Sequence, residues 1–122
     1  MKKVNWEKIL LTISIIFISV VIFTAIDHFV HGLSPEYSVP DYYFKNKIIF
    51  AIIIGSMVYF FVRKRVFWQK SLAVSFITAV LLQTKYYLQG YPKEFVFEFM
   101  GFHFLMFLAS SMLMFWLFRK QL

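Results

Sequence analysis

The residues best suited to chemistry in this chain are an acid and two histidines in the segment Asp27-His28-Phe29-Val30-His31. If one helix continues through this segment, Asp27 and His31 lie four residues apart and share a helical face. A carboxylate and an imidazole at this spacing can bind one metal ion, and zinc, iron, manganese and copper accept such ligands. In a second interpretation, His28 or His31 is a catalytic base and Asp27 orients it.

A metal ion needs further ligands, and the later part of the chain offers them. We predict that Glu98 and His103 complete a metal site with Asp27 and His31; other acids within the same predicted region are Glu36, Asp41 and Glu94. The five-residue separation of Glu98 and His103 puts their side chains about 140° apart, so both can face one ion only if the helix is distorted, for example at Gly101. The simpler alternative is that the polar residues mark helix ends at the lipid headgroups and that His103 hydrogen-bonds a neighbouring helix.

Two other cofactors are compatible with the histidines. Met100, His103 and Met106 have the i, i+3, i+6 spacing that would suit reduced copper, and a haem could be held between His103 and either His28 or His31. We favour a divalent metal over both. Methionine commonly fills apolar gaps, and a chain with 17 phenylalanines and 4 glycines leaves little room for a haem.

The composition predicts an all-α integral membrane protein with a single domain over 1–122. Hydrophobic residues make up 61% of the 122 residues and charged residues only 16%, against roughly 45–50% and about 25% in soluble domains. Four segments approach or exceed the roughly 20 residues that a helix needs to cross a bilayer: 9–26, 42–62, 71–88 and 95–118. Because the connections are short, we predict a four-helix bundle with antiparallel neighbours.

The distribution of basic residues predicts the orientation. The two ends and the second connection together carry nine bases and one acid, Glu7, whereas the other side carries four bases and five acids. Positively charged loops resist translocation, so both termini are predicted to be cytoplasmic. We predict the plasma membrane as the location. The nine bases are Lys2, Lys3, Lys8, Arg63, Lys64, Arg65, Lys70, Arg119 and Lys120.

Other residue types narrow the function. The bases are clustered between apolar runs, which favours a lipid bilayer and not nucleic acid as the partner. The absence of cysteine excludes disulfides, thiolate metal sites and a cysteine nucleophile. At the outer boundary, Lys85, Tyr86 and Tyr87 are predicted to contact lipid headgroups, Lys85 by extending its ammonium to the interface.

Three classes of function fit this sequence. We favour a ligand-binding or catalytic pocket on the outer side, because His, acid and Tyr side chains converge there from three connections; whether the protein is an enzyme stays open. The second class is an accessory or assembly subunit of a larger membrane complex. The third is a transporter or channel formed by a homo-oligomer, although the uncharged central turns of the predicted helices disfavour a proton-coupled pump.

Overall fold

A computed structural model describes residues 5–122, and this part of the chain is all-α, as predicted. Lys2 and Lys3, two of the bases used for the orientation, lie outside the described residues. The connection between the first two helices contains a short 3-10 helix, Pro35–Tyr37. The four α-helices are α1 (Trp6–His31), α2 (Tyr42–Phe61), α3 (Phe67–Leu88) and α4 (Lys93–Leu117).

The four helices form a ring in which each packs against two neighbours: α1 on α2, α2 on α3, α3 on α4 and α4 on α1. Short connections make neighbours antiparallel, so the end of α1 and the starts of α2 and α4 lie at the same end of the bundle. Apolar residues from all four helices fill the centre, including Ile16, Ala51, Val74 and Phe107.

Three of the helices, α1, α2 and α4, are long and apolar enough to cross a membrane. Helix α3 has 22 residues but is more polar and does not belong to this group. The fourth span that the sequence predicts at 71–88 therefore stays a prediction. Most polar residues of α3 are nevertheless buried against the other helices, whereas Thr84 is exposed. The buried ones include Lys70, Ser71, Ser75, Thr78 and Gln83.

Two glycine-containing ends fix the helices around the polar end of the bundle. Helix α1 continues through His31 and is capped by Gly32, so Asp27 and His31 do share a face. Helix α3 ends in a Schellman motif: Tyr91 N–H donates to the Tyr86 carbonyl at 3.2 Å, and Gly90 N–H donates to the Tyr87 carbonyl at 3.1 Å. Gly90 has a φ of 95°, which side-chain-bearing residues rarely adopt.

Candidate functional site

The bundle brings Asp27, His31 and His103 together near the end of α1. One Asp27 oxygen, Oδ1, lies 3.0 Å from His103 Nε2, and the other, Oδ2, lies 3.3 Å from His31 Nε2. Ligating atoms of all three residues lie within 4.8 Å of one another. Asp27 and His103 are completely buried, and His31 is 4% exposed.

Helical spacing explains this convergence. On α1, Phe23, Asp27 and His31 follow each other at intervals of four and are all buried. On α4, Phe99 and His103 are also four residues apart and buried. The His31 ring stacks on Phe99 with 4.2 Å between ring centres and 3° between planes, which fixes the imidazole against α4.

A fourth residue, Lys47 on α2, completes the cluster. Its ammonium contacts the Asp27 carboxylate, and Nζ lies 2.8 Å from His103 Nε2. The Lys47 side chain is fully buried and its Nζ is 4.1 Å from the centre of the Tyr43 ring. Lys47 was predicted only as one of the outer-side bases, so the sequence interpretation missed its part in the site.

The hydrogen-bond partner of His31 determines which ring nitrogen faces Asp27. His31 Nδ1 lies 2.6 Å from the Tyr37 backbone carbonyl, which can only accept, so Nδ1 carries a hydrogen. In the neutral imidazole, Nε2 then presents its lone pair toward Asp27 Oδ2. Two electron-pair donors facing each other at 3.3 Å repel unless a proton or another cation lies between them.

His103 contacts both charged members of the cluster through one ring nitrogen. Its Nε2 contacts both Asp27 Oδ1 and Lys47 Nζ, whereas Nδ1 is buried without a hydrogen-bond partner in residues 5–122. If Nε2 carries the hydrogen, it donates to Asp27 Oδ1; if Nε2 is unprotonated, it accepts from Lys47 Nζ. In both tautomers, the Lys47 ammonium contacts Asp27 and lies beside His103.

The charges of Asp27 and Lys47 balance each other within the bundle. A buried charge is costly unless an opposite charge and hydrogen bonds compensate it, and within a membrane such groups usually mark a functional site. With both histidines neutral, the cluster has no net charge. It is thus a pre-formed group of two imidazoles and one carboxylate whose cation is supplied by the protein.

No protein-family model, curated protein or solved structure matches this chain.

Glu98, the fourth predicted ligand, does not join the cluster. It is exposed and accepts a 2.8 Å hydrogen bond from the Tyr37 hydroxyl. This bond raises the pKa of Tyr37 above its ordinary value, because ionising the phenol would place a second negative charge beside the Glu98 carboxylate. The α4 stripe containing Gly101 and Leu105 also faces outward, although a small residue such as Gly101 favours the close approach of a neighbouring helix.

Glu98 instead borders a surface cleft of about 400 Å³. Tyr37 links this cleft to the buried cluster, since its hydroxyl meets Glu98 and its carbonyl holds His31. Two of the acids considered as further ligands, Glu36 and Glu94, line the cleft. Asp41 is exposed at the start of α2.

The geometry does not support the other three hypotheses, which are a His28 base, a haem and a copper ion. His28 is exposed and packs on Phe44 with 4.8 Å between ring centres, so Asp27 does not orient it as a base. The Asp27 carboxylate lies between His31 and His103, which leaves no slot for a haem there. His103 directs Nε2 to Asp27 and Lys47, which gives no support to copper ligation with Met100 and Met106.

The three residues predicted at the lipid headgroups differ in their exposure. Tyr87 is 54% exposed, and Lys85 is partly buried with Nζ 4.7 Å from the centre of the Phe50 ring. Tyr86, in contrast, is 1% exposed and packs on Tyr43 with 4.6 Å between ring centres. Its interior position does not allow the predicted headgroup contact.

Proposed function

We propose that this chain is an integral membrane protein that binds a divalent transition-metal ion through Asp27, His31 and His103. The observation that carries the proposal is the convergence of one carboxylate and two imidazoles, with ligating atoms within 4.8 Å, inside the bundle. Two histidines and one carboxylate suit zinc or non-haem iron and leave coordination positions for water or a small ligand.

The distances within the cluster support this assignment. With metal–nitrogen and metal–oxygen bonds of about 2.0–2.2 Å, two ligands of one ion lie roughly 3.0–3.5 Å apart. The contacts of Asp27 with His103 and His31, at 3.0 and 3.3 Å, already have this spacing. The bond from His31 Nδ1 to the Tyr37 carbonyl is the kind of outer contact that orients a metal-binding histidine.

Lys47 serves in this proposal as the cation of the metal-free protein. Its ammonium compensates Asp27 when no metal is bound, and an arriving ion must displace it from the carboxylate. The ion then neutralises Asp27 and supplies the positive charge that the lone pair of His31 Nε2 faces. The metal ion thus takes the place of the ammonium at the carboxylate, and Lys47 must release its proton or turn away from Asp27, since the carboxylate balances only one positive charge.

The proposed topology has four membrane spans with both termini cytoplasmic. Support for the fourth span comes from α3, in which most polar residues are buried and many apolar residues face outward, the arrangement expected in lipid. The exposed apolar residues on α3 include Leu72, Phe76, Ile77, Leu81 and Leu88.

Metal analysis tests the proposed function directly. We expect purified protein offered zinc or ferrous iron to bind one ion per chain and His31→Ala to bind at least about 100-fold more weakly. His28→Ala is the matched control, because His28 is an exposed imidazole three residues away on the same helix, and it should bind as the wild type does. Equal metal content in His31→Ala and wild type, or no metal in either, would contradict the proposal.

The orientation has a separate test. A reporter fused after Leu122 should be cytoplasmic, because nine bases are assigned to the side that contains both termini. A second reporter in the connection 32–41 should lie outside. An outside signal from the Leu122 fusion would reverse the sidedness of the metal site but not its ligands.

A further inference from the structure

A second buried charge lies at the opposite end of the bundle from the metal site. Lys70, in the first turn of α3, is only 6% exposed. Its Nζ donates a 3.1 Å hydrogen bond to the Tyr59 hydroxyl and lies 5.1 Å from the centre of the Tyr59 ring. Within the described range 5–122, no carboxylate forms an ion pair with Lys70.

The neighbourhood of Lys70 adds positive charge. Lys8 lies in the first turn of α1, which starts at the same end of the bundle as α3. Helix α3 follows Val66, which provides no side-chain cap, so the first-turn amides contribute the positive end of the helix dipole. A buried ammonium in such surroundings needs an anion, since the hydroxyl of Tyr59 satisfies only one of its three N–H groups.

We propose that Lys70 and Tyr59 form a site for the phosphate of a net-anionic phospholipid, independent of the metal site. The tryptophans at this end indicate the level of the membrane interface: Trp6 and Trp68 are 67% and 47% exposed, and Trp116 is 45% exposed. A phosphate there can accept the two remaining N–H groups of Lys70. Phosphatidylglycerol fits better than phosphatidylcholine, because the choline cation would meet Lys8 and Lys70.

Lipid retention tests this site in the full chain. We expect protein taken from mixed nanodiscs of phosphatidylglycerol and phosphatidylcholine to retain phosphatidylglycerol selectively, as counted by native mass spectrometry. Lys70→Met should reduce that selectivity about fivefold to tenfold, because one charged phosphate contact is lost. Lys64→Met, which removes an exposed base from the same end, should leave it unchanged.

Three results would overturn the proposal. The first is no selectivity for phosphatidylglycerol in the wild type, a test that requires no variant to fold. The second is an equal loss in Lys70→Met and Lys64→Met, which would indicate general surface charge. The third is full displacement of the lipid by inorganic phosphate, which would assign the site to the free ion. If Lys70→Met does not fold, Lys70→Arg, which keeps the charge, must retain the selectivity.

Discussion

Replacing Lys47 with methionine is expected to make the stability of the protein depend on bound metal. Lys47 is fully buried against Asp27, so the substitution leaves a carboxylate without its cation. Removing one partner of a buried ion pair costs about 3–5 kcal/mol, and we expect the metal-free variant to lose this much unfolding free energy. Methionine keeps the length and apolar character of the lysine stem, which limits the loss of packing.

The same variant should bind metal more tightly than the wild type. Two unit charges 4 Å apart repel by about 4 kcal/mol at an effective dielectric constant of 20, and a divalent ion repels an ammonium twice as strongly; Lys47→Met removes this repulsion. We therefore expect at least a roughly tenfold gain in affinity. Added metal at about 100 times Kd should then restore about 2.7 kcal/mol of stability.

Unfolding in mixed micelles with increasing SDS, with and without metal, measures both effects. Lys45→Met is the matched control, because Lys45 is an exposed lysine on the same helix two residues away. It should change neither the stability nor its dependence on metal. A Lys47→Met protein that is destabilised but gains nothing from metal would mean that the cluster is a structural ion pair.

The helices could be predicted closely because their apolar runs are long and their ends carry turn residues. The segments 42–62 and 95–118 differ from α2 and α4 by no more than two residues at either end. Helix α1 extends five residues beyond the predicted segment 9–26. That extension contains two of the proposed metal ligands, Asp27 and His31. The helical face that they share was predicted from their four-residue spacing.

The side of α4 that is buried in the bundle could not be predicted, because the helix is apolar on nearly every side. Small residues suggested that the stripe with Glu98 and Gly101 faces the bundle, but Phe99, His103 and Phe107 occupy that position. Bulky aromatic side chains fill the interior of the bundle, so small residues do not identify the face of α4 that packs against the other helices. Periodicity in an all-apolar helix gives little information about which face is buried.

The site lysine, by contrast, left a signal in the sequence. The buried residues of α2 recur at every fourth position, and Lys47 is one of them, between aromatic and small neighbours; they are Tyr43, Lys47, Ala51, Gly55 and Tyr59. Lys45 lies off this stripe and is exposed. A lysine on the buried face of an apolar helix indicates a buried partner of opposite charge, and Asp27 is that partner.

The second large effect is expected from combining Asp27→Asn with Lys47→Met. Asp27→Asn alone leaves the buried ammonium without its counter-charge and should cost about 3–5 kcal/mol of unfolding free energy, as Lys47→Met does. The double variant buries no charge at this point, and replacing a whole buried ion pair is often neutral or stabilising. We therefore expect the double variant to be at least about 2 kcal/mol more stable than either single variant.

Metal binding should behave differently from stability in this series. Asp27 is the only carboxylate in the group with His31 and His103, so Asp27→Asn should weaken binding at least about 100-fold. The double variant should recover its stability but not its metal, because an amide cannot replace the carboxylate charge. Additive losses of stability would show that Asp27 and Lys47 are not coupled, whereas metal bound by Asp27→Asn would remove Asp27 from the ligand set. Recovery of one property without the other is what distinguishes a metal site with a built-in cation from an ion pair that only holds α1 and α2 together.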